Sequence, residues 1–302
     1  MKFVHKIKNF LPLAVQDLID LFIIRYQRNK VPDAGVQKLL KLEYRRLFDS
    51  NRTLSFDEAG FCGYSGSTED GILLYIFALI GTSNRRFVDM GAGGVGASNT
   101  ANLVINHGWY GLHVDGNKEA VRKAQSVYAK TPSVKHMLPQ AVSAFITTEN
   151  INSIVQSNGF EGSVDLLSID IDGNDYWVWE ALDCIQPRVV IVEYQPAISA
   201  EYSWSTPYDP EFNHRDYAAN QTSKDVIYAG ASLAALNKLA NRKGYRLVGC
   251  NIHGFNAFFV LNGEGDQLLP EVSIESCLSS PRSLNMQEQY KELLSDLQWV
   301  EI

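Results

Sequence analysis

The stretch VDLLSIDIDGND, residues 164–175, is an apolar run that ends in Asp170, Asp172 and Asp175. Carboxylates this close repel one another once withdrawn from water, so the cluster calls for cations, shared protons or hydrogen-bond donors, and it marks chemistry. Asp175 reads most simply as a first-turn acid of the helix that follows. Asp170 and Asp172 have no such explanation and stand as candidate catalytic groups. A second run, VVIVE, ends in Glu193. If the two runs are neighbouring strands, Asp170 and Glu193 face one crevice, where they can hold a Mg²⁺ or share a proton.

A third stretch, FVDMGAGGVGASNTANL, has the form of strand, tight turn and helix, with Ser98 to His107 as the helix. Gly91, Gly93, Gly94 and Gly96 leave its backbone open to a nucleotide-like ligand. The spacing of Gly91, Gly93 and Gly96 also satisfies G-x-G-x-x-G, which does not separate NAD from S-adenosylmethionine. Asp89, two residues before the first glycine, is better placed to meet a cationic amino-acid group than a pyrophosphate, which it would repel. Asp115 ends the next short apolar segment, GLHV, and is followed by Gly116 and Asn117. A carboxylate at that strand end accepts hydrogen bonds from ribose hydroxyls.

The elements that must position these residues follow from periodicity. Apolar runs at 87–90, 111–114, 164–171 and 189–192 read as buried parallel strands alternating with helices. The helix ASLAALNKLANRKGY, closed by Gly244, leads to YRLVGC and NAFFVLN, joined by the turn NIHG. The expectation is an α/β fold: a Rossmann-like doubly wound sheet of five parallel strands finished by an antiparallel hairpin whose last strand inserts beside the fifth. His253 in that turn is a secondary candidate base. The expected domains are a helical N-terminal extension (1–60), a ligand-binding domain (61–265) and a C-terminal helical tail (266–302). Met286, Tyr290, Leu293, Leu294 and Leu297 share one face of that tail. Within the domain, 195–228 is a long connection carrying Tyr202, Trp204, Tyr208, Phe212, His214 and Tyr217. It reads either as an aromatic lid over an acceptor or as a surface subdomain with its own small core.

Composition bounds the partners. The 302-residue chain has 45% hydrophobic residues and a net charge of -7, which excludes a protein that grips nucleic acid by bulk attraction. Cys62, Cys184, Cys250 and Cys277 are scattered without zinc-ligand spacing, and read as reduced thiols they favour a cytoplasmic location. Residues 1–30 carry six Lys/Arg and two Asp, so the rest of the chain holds -11. This basic amphipathic helix is interrupted by Asp17 and Asp20 and is not a membrane span. It suits packing on its own domain, a second copy of the chain in a homo-oligomer, or a peripheral membrane contact.

Taken together, FVDMGAGGVGASNTANL, GLHVDGN, DLLSIDIDGNDYWVWEAL and PRVVIVEYQP resemble FkbM-like S-adenosylmethionine-dependent methyltransferases, over roughly Tyr64 to Leu261. The resemblance implies a class I methyltransferase fold and O-methylation of hydroxyls on sugars or other small-molecule or glycan acceptors. It places Asp89 and the glycine loop near the methionine portion, Asp115 on the ribose, and Asp170 near the reactive centre. The chain departs from the related S-Q-x-G-E-D-G segment, reading SGSTEDG at 65–71. Two other readings stand beside this one. A nicotinamide-dependent oxidoreductase would use the same glycine loop, although the only Tyr-x-x-x-Lys spacing, Tyr26 to Lys30, lies upstream of it. The other is a noncatalytic binding protein that retains the fold.

Overall fold

Apolar alternation and helix caps divide the chain as its periodicity requires. The structure is a computed structural model that describes residues 32–214 and 227–302, so the basic segment 1–30 and Tyr217 lie outside the described residues. In chain order the elements are α1 (Ala34–Asp49), α2 (Phe56–Ala59), α3 (Glu69–Leu79), β1 (Arg86–Met90), α4 (Ala101–His107), β2 (Tyr110–Asp115), α5 (Lys118–Lys130), β3 (Gln140–Ser143) and α6 (Ile151–Ser157). They continue with β4 (Gly162–Ile169), α7 (Asp175–Ala181), β5 (Ile185–Glu193), β6 (Trp204–Ser205), α8 (Leu233–Lys243), β7 (Tyr245–Cys250), β8 (Asn256–Leu261), α9 (Ile274–Cys277), α10 (Pro281–Ser295) and β9 (Val300–Glu301).

Seven strands form one sheet in the order β3-β2-β1-β4-β5-β8-β7. The first five are parallel, while β8 runs antiparallel between β5 and β7. This is the Rossmann-like doubly wound sheet with a terminal hairpin expected from the strand pattern. Strand β3 has no sequence signature of its own: it is four residues long and half-buried to exposed.

Side chains alternate between two cores along each central strand. In β5, Val190 and Val192 join Val88, Leu167 and Trp179 on one face, while Val189 and Ile191 join Phe87, Leu166 and Phe77 on the other. Helices α3, α4 and α5 cover the second face, and α6, α7 and α8 cover the first. A third, smaller cluster joins Ala197, Ile198 and Ile227 to Met286, Tyr290 and Leu294 of α10. Thus the C-terminal helix docks through the face its spacing marked. Among the described residues, no helix is long and apolar enough to cross a membrane.

The edge of the sheet away from the strand carboxyl ends is tied together by ions. Buried Asp165 of β4 accepts from the backbone N–H groups of Ser83, Asn84 and Arg85, and Arg188 Nη1 donates to it at 2.9 Å. Removing one partner of a buried pair strands the other charge, so Asp165→Ala is expected to cost about 3–5 kcal/mol in urea-unfolding free energy.

Near α1, His107 Nε2 lies 2.7 Å from Gln37 Oε1. Burial, then the charges of Lys41, Lys38 and Arg85, push His107 down to about 4 from its ordinary 6.5. The folded chain therefore keeps it neutral while the unfolded chain takes up a proton, and its contribution to stability is lost as pH falls from about 6.5 to about 4. Urea midpoints measured at pH 7 and pH 4.5 should fall more for the natural protein than for His107→Gln.

Candidate active site

At the carboxyl ends of the parallel strands, the chain after β1 needs a residue without a side chain. Gly91 has φ +78°, and a Cβ there would lie 1.6 Å from the Asp170 carbonyl oxygen. The first glycine thus lets the β1 turn touch the end of β4. Gly93 donates its N–H to Asp115 Oδ2 at 2.7 Å, and Asn117 donates its N–H to Asp115 Oδ1 at 2.6 Å. Asp115 therefore clamps the glycine loop to the start of α5, with a lone pair left on each oxygen. Asn117 caps that helix by accepting from the N–H groups of Glu119 and Ala120.

Asp89 is used differently from its sequence expectation. It is 2% exposed and accepts from Ser98 Oγ at 2.8 Å and Thr100 Oγ1 at 2.7 Å, with His113 Nδ1 at 3.4 Å. The same bonds hold Ser98–Thr100 in a turn, which is why α4 begins at Ala101 and not at Ser98. The structure places Asp89 beneath the loop, where it braces the turn and lines none of the cavities described below.

Beside the loop is a cavity of about 280 Å³ bounded by Gly91, Gly93, Asp115, Gly116, Asn117 and Asp170, with Phe145 and Ile146 as an apolar wall. Asp172, Asn174 and Phe212 complete the opposite side. No Lys or Arg lines it among the described residues, so its ionisable walls are all carboxyls.

The acid cluster sits at the ends of β4 and β5. Asp175 is 1% exposed and accepts from the N–H groups of Ile171 and Gly173, each at 2.9 Å, as its helix-start position implied. Burial outweighs these bonds and pushes it up to about 6. Asp170 and Glu193 hydrogen-bond to each other, and both are held well above the ordinary carboxylate range, first by burial and then by the neighbouring acids. Asp172 adopts φ +58°, an uncommon backbone state for a side-chain-bearing residue, and its side chain is exposed. Asp170, Asp172 and Glu193 each offer one oxygen within 4.8 Å of the others. Oxygen donors so close together fit the shell of a hard divalent cation.

A second cavity, of about 250 Å³, opens on the other side of this cluster and shares Asp172 with the first. Glu193, Gln195, His214, Phe255 and Arg282 also line it. His214 Nδ1 lies 3.7 Å from Asp172 Oδ2, so the histidine that reaches the acids comes from the long connection after β5. His253, the histidine singled out in the sequence, is exposed, stacks against Phe255 and lines neither cavity.

That long connection is latched to the acidic turn. Asn174 Nδ2 donates to the Asp209 carbonyl at 2.8 Å, and Thr206 Oγ1 donates to the Gly173 carbonyl at 3.2 Å. Phe212 occupies space that a Cβ on Gly173 would enter, at 2.2 Å. Three of its aromatic residues, Tyr202, Trp204 and Tyr208, face elsewhere. Trp204 stacks on Tyr202 and Trp299 beside the third core, and Tyr208 donates its hydroxyl to Glu149 while accepting from the Thr148 N–H.

The EDG segment is buried behind the site. Glu69 accepts from Ser67 N–H and from the side-chain amides of Asn251 and Asn256, and Asn256 pairs with Glu193 in the β5–β8 register. Asp70 gathers the N–H groups of Gly63, Tyr64 and Ser65, and burial raises it to about 6.

No family model matches the chain, and no curated protein matches it. Solved structures resemble the chain at low similarity. An O-methyltransferase from Bacillus cereus in complex with SAH is 14% identical over 72% of this chain and 90% of that one, with a TM-score of 0.40. TomG, an O-methyltransferase from Streptomyces achromogenes with SAM, is 17% identical over 68% and 89%, with a TM-score of 0.40. Magnesium protoporphyrin IX methyltransferase from Synechocystis with bound SAM is 11% identical over 65% and 78%, with a TM-score of 0.36. Scores this low carry no argument about the chain, and its chemistry has to be argued from the site itself.

Because Trp204 packs in the third core, Trp204→Ala should lower unfolding free energy by about 2–4 kcal/mol, below a fully buried aromatic because it is half-buried. A urea titration checks this, and an unchanged midpoint would mean the stack carries no load.

Proposed function

We propose that the chain is an S-adenosylmethionine-dependent O-methyltransferase of the FkbM-like type, acting on a hydroxyl of a sugar, glycoconjugate or similar small molecule. The observation that carries this reading is the charge of the glycine-loop cavity, lined by Asp115, Asp170 and Asp172 and by no Lys or Arg among the described residues. Such walls favour a sulfonium and an α-amino group and disfavour the pyrophosphate of a dinucleotide. In this reading Gly91, Gly93, Gly116 and Asn117 bound the cofactor, Asp115 receives its ribose hydroxyls, and Phe145 and Ile146 receive its base.

When bound, S-adenosylmethionine supplies an electrophilic methyl group: the acceptor oxygen forms the new O–C bond, the S–C bond breaks, and a neutral thioether leaves. The chain's own residues align the acceptor and remove its hydroxyl proton. Asp170 lines the cofactor cavity, while Asp172, shared by both cavities, provides with His214 at 3.7 Å a proton acceptor on the acceptor side. A Mg²⁺ held by Asp170, Asp172 and Glu193 would lower the pKa of a bound hydroxyl. In the 61–265 domain, the described part of the 195–228 connection covers the acceptor here through Gln195 and His214 and not through Trp204, while its Phe212 walls the cofactor cavity.

Calorimetry is expected to show binding of S-adenosylmethionine and S-adenosylhomocysteine but not NADH. Asp115→Ala should weaken S-adenosylhomocysteine about 10- to 100-fold by removing charge-assisted hydrogen bonds. Asp170→Asn should keep that affinity and cut turnover on the order of 100-fold. The opposite pattern, or preferential NADH binding, would sink the assignment; tight binding with no turnover on any hydroxylated acceptor would favour a noncatalytic role.

A further inference from the structure

We propose that the second cavity selects acceptors carrying an acidic group, a carboxylate or a phosphate, beside the hydroxyl to be methylated, and that Arg282 is the residue that anchors that group. The inference rests on the reading of this cavity as the acceptor site.

Asp172 and Glu193 make one wall of the cavity acidic, so a ligand bearing an anion binds there only if a cation receives it elsewhere. Arg282 is the one Lys or Arg among the described lining residues. The buried arginines are already spent, since Arg188 pairs with Asp165 and Glu264 and Arg246 pairs with Asp266, whereas Arg282 is exposed at the rim of the cavity. Arg282 has no carboxylate partner among the described residues. It donates Nη1 to the His253 carbonyl at 3.1 Å, which leaves most of its five N–H donors open.

That single bond and the Phe255 ring, whose centroid is 5.8 Å from the guanidinium carbon, hold the group at the cavity wall. The planar fork then presents paired donors of the kind that bind carboxylate or phosphate in a bidentate manner. Arg282 lies in the first turn of α10, capped by Ser280, so the helix dipole adds to the positive potential there. The acidic end of the acceptor meets α10 while its hydroxyl is directed toward Asp172, His214 and Glu193.

The test titrates glucuronate, glucose 6-phosphate and glucose into the full-length protein saturated with S-adenosylhomocysteine, followed by calorimetry. At least one acid is expected to bind about 10- to 100-fold more tightly than glucose, the range of a hydrogen bond to a charged group. The tighter of the two acids identifies carboxylate or phosphate as the source. Arg282→Gln should bring the acids to the level of glucose while S-adenosylhomocysteine affinity is unchanged. Equal affinity for all three probes, no binding of any, or an equal loss for glucose and the acids in Arg282→Gln overturns the proposal. Failure of S-adenosylhomocysteine to bind overturns the methyltransferase reading instead, and the same acid-against-neutral comparison on the cofactor-free protein still decides the role of Arg282.

Discussion

Like charges drawn out of water repel with little screening, and four acids converge where β4 and β5 end. Asp175 is accommodated by two backbone N–H groups, and Asp170 and Glu193 by a hydrogen bond between themselves. Asp172 is turned outward by a left-handed backbone. What remains is a surplus of negative charge on the wall between two cavities. The neighbouring structure either tolerates that surplus or uses it. The glycine loop brings no basic side chain, β8 contributes Asn256 beside Glu193, and the nearest histidine arrives on a separate segment.

The same crowding explains the two glycines on which the site depends. Gly91 lets the β1 turn contact the Asp170 carbonyl, and Gly173 lets Phe212 close over the acidic turn. Any side chain at either position would push apart the elements that hold Asp115 and Asp170 in one cavity and His214 in the adjoining one. The long connection is thus attached through Asn174, Gly173 and Phe212, while its Trp204 end is built into the third core with Trp299 and α10. One segment forms a small core at one end and walls of the two cavities at the other.

Much of this was legible in the residues. Continuous apolar runs imply strands buried on both faces, and helix-spaced runs between them imply parallel crossovers, so the doubly wound sheet and the insertion of its last strand beside the fifth were expected, while the full strand order comes from the structure. The cluster of Asp170, Asp172 and Glu193 was visible because strand ends are where an apolar run stops. Asp89 was harder: adjacency to a glycine loop says nothing about which way a carboxylate points, and the hydroxyls of Ser98 and Thr100, 9 and 11 residues downstream, captured it. His253 and His214 were likewise indistinguishable in kind; only the path of the chain decides which reaches Asp172. Strand β3, short and incompletely buried, left no pattern to read.

By itself, then, the sequence determined the fold class, the positive-φ turn at Gly91 and the identity of the acids at the strand ends, because these depend on local periodicity, backbone sterics and the order of segments. Tertiary structure decided what those groups face. Arg282 lies 89 positions beyond Glu193 in the chain, and Glu69 lies 187 positions before Asn256. Their joint presence around one site comes from long-range packing, of α10 against the connection that follows β5 and of β8 against β5, a relation that no spacing between neighbouring residues encodes.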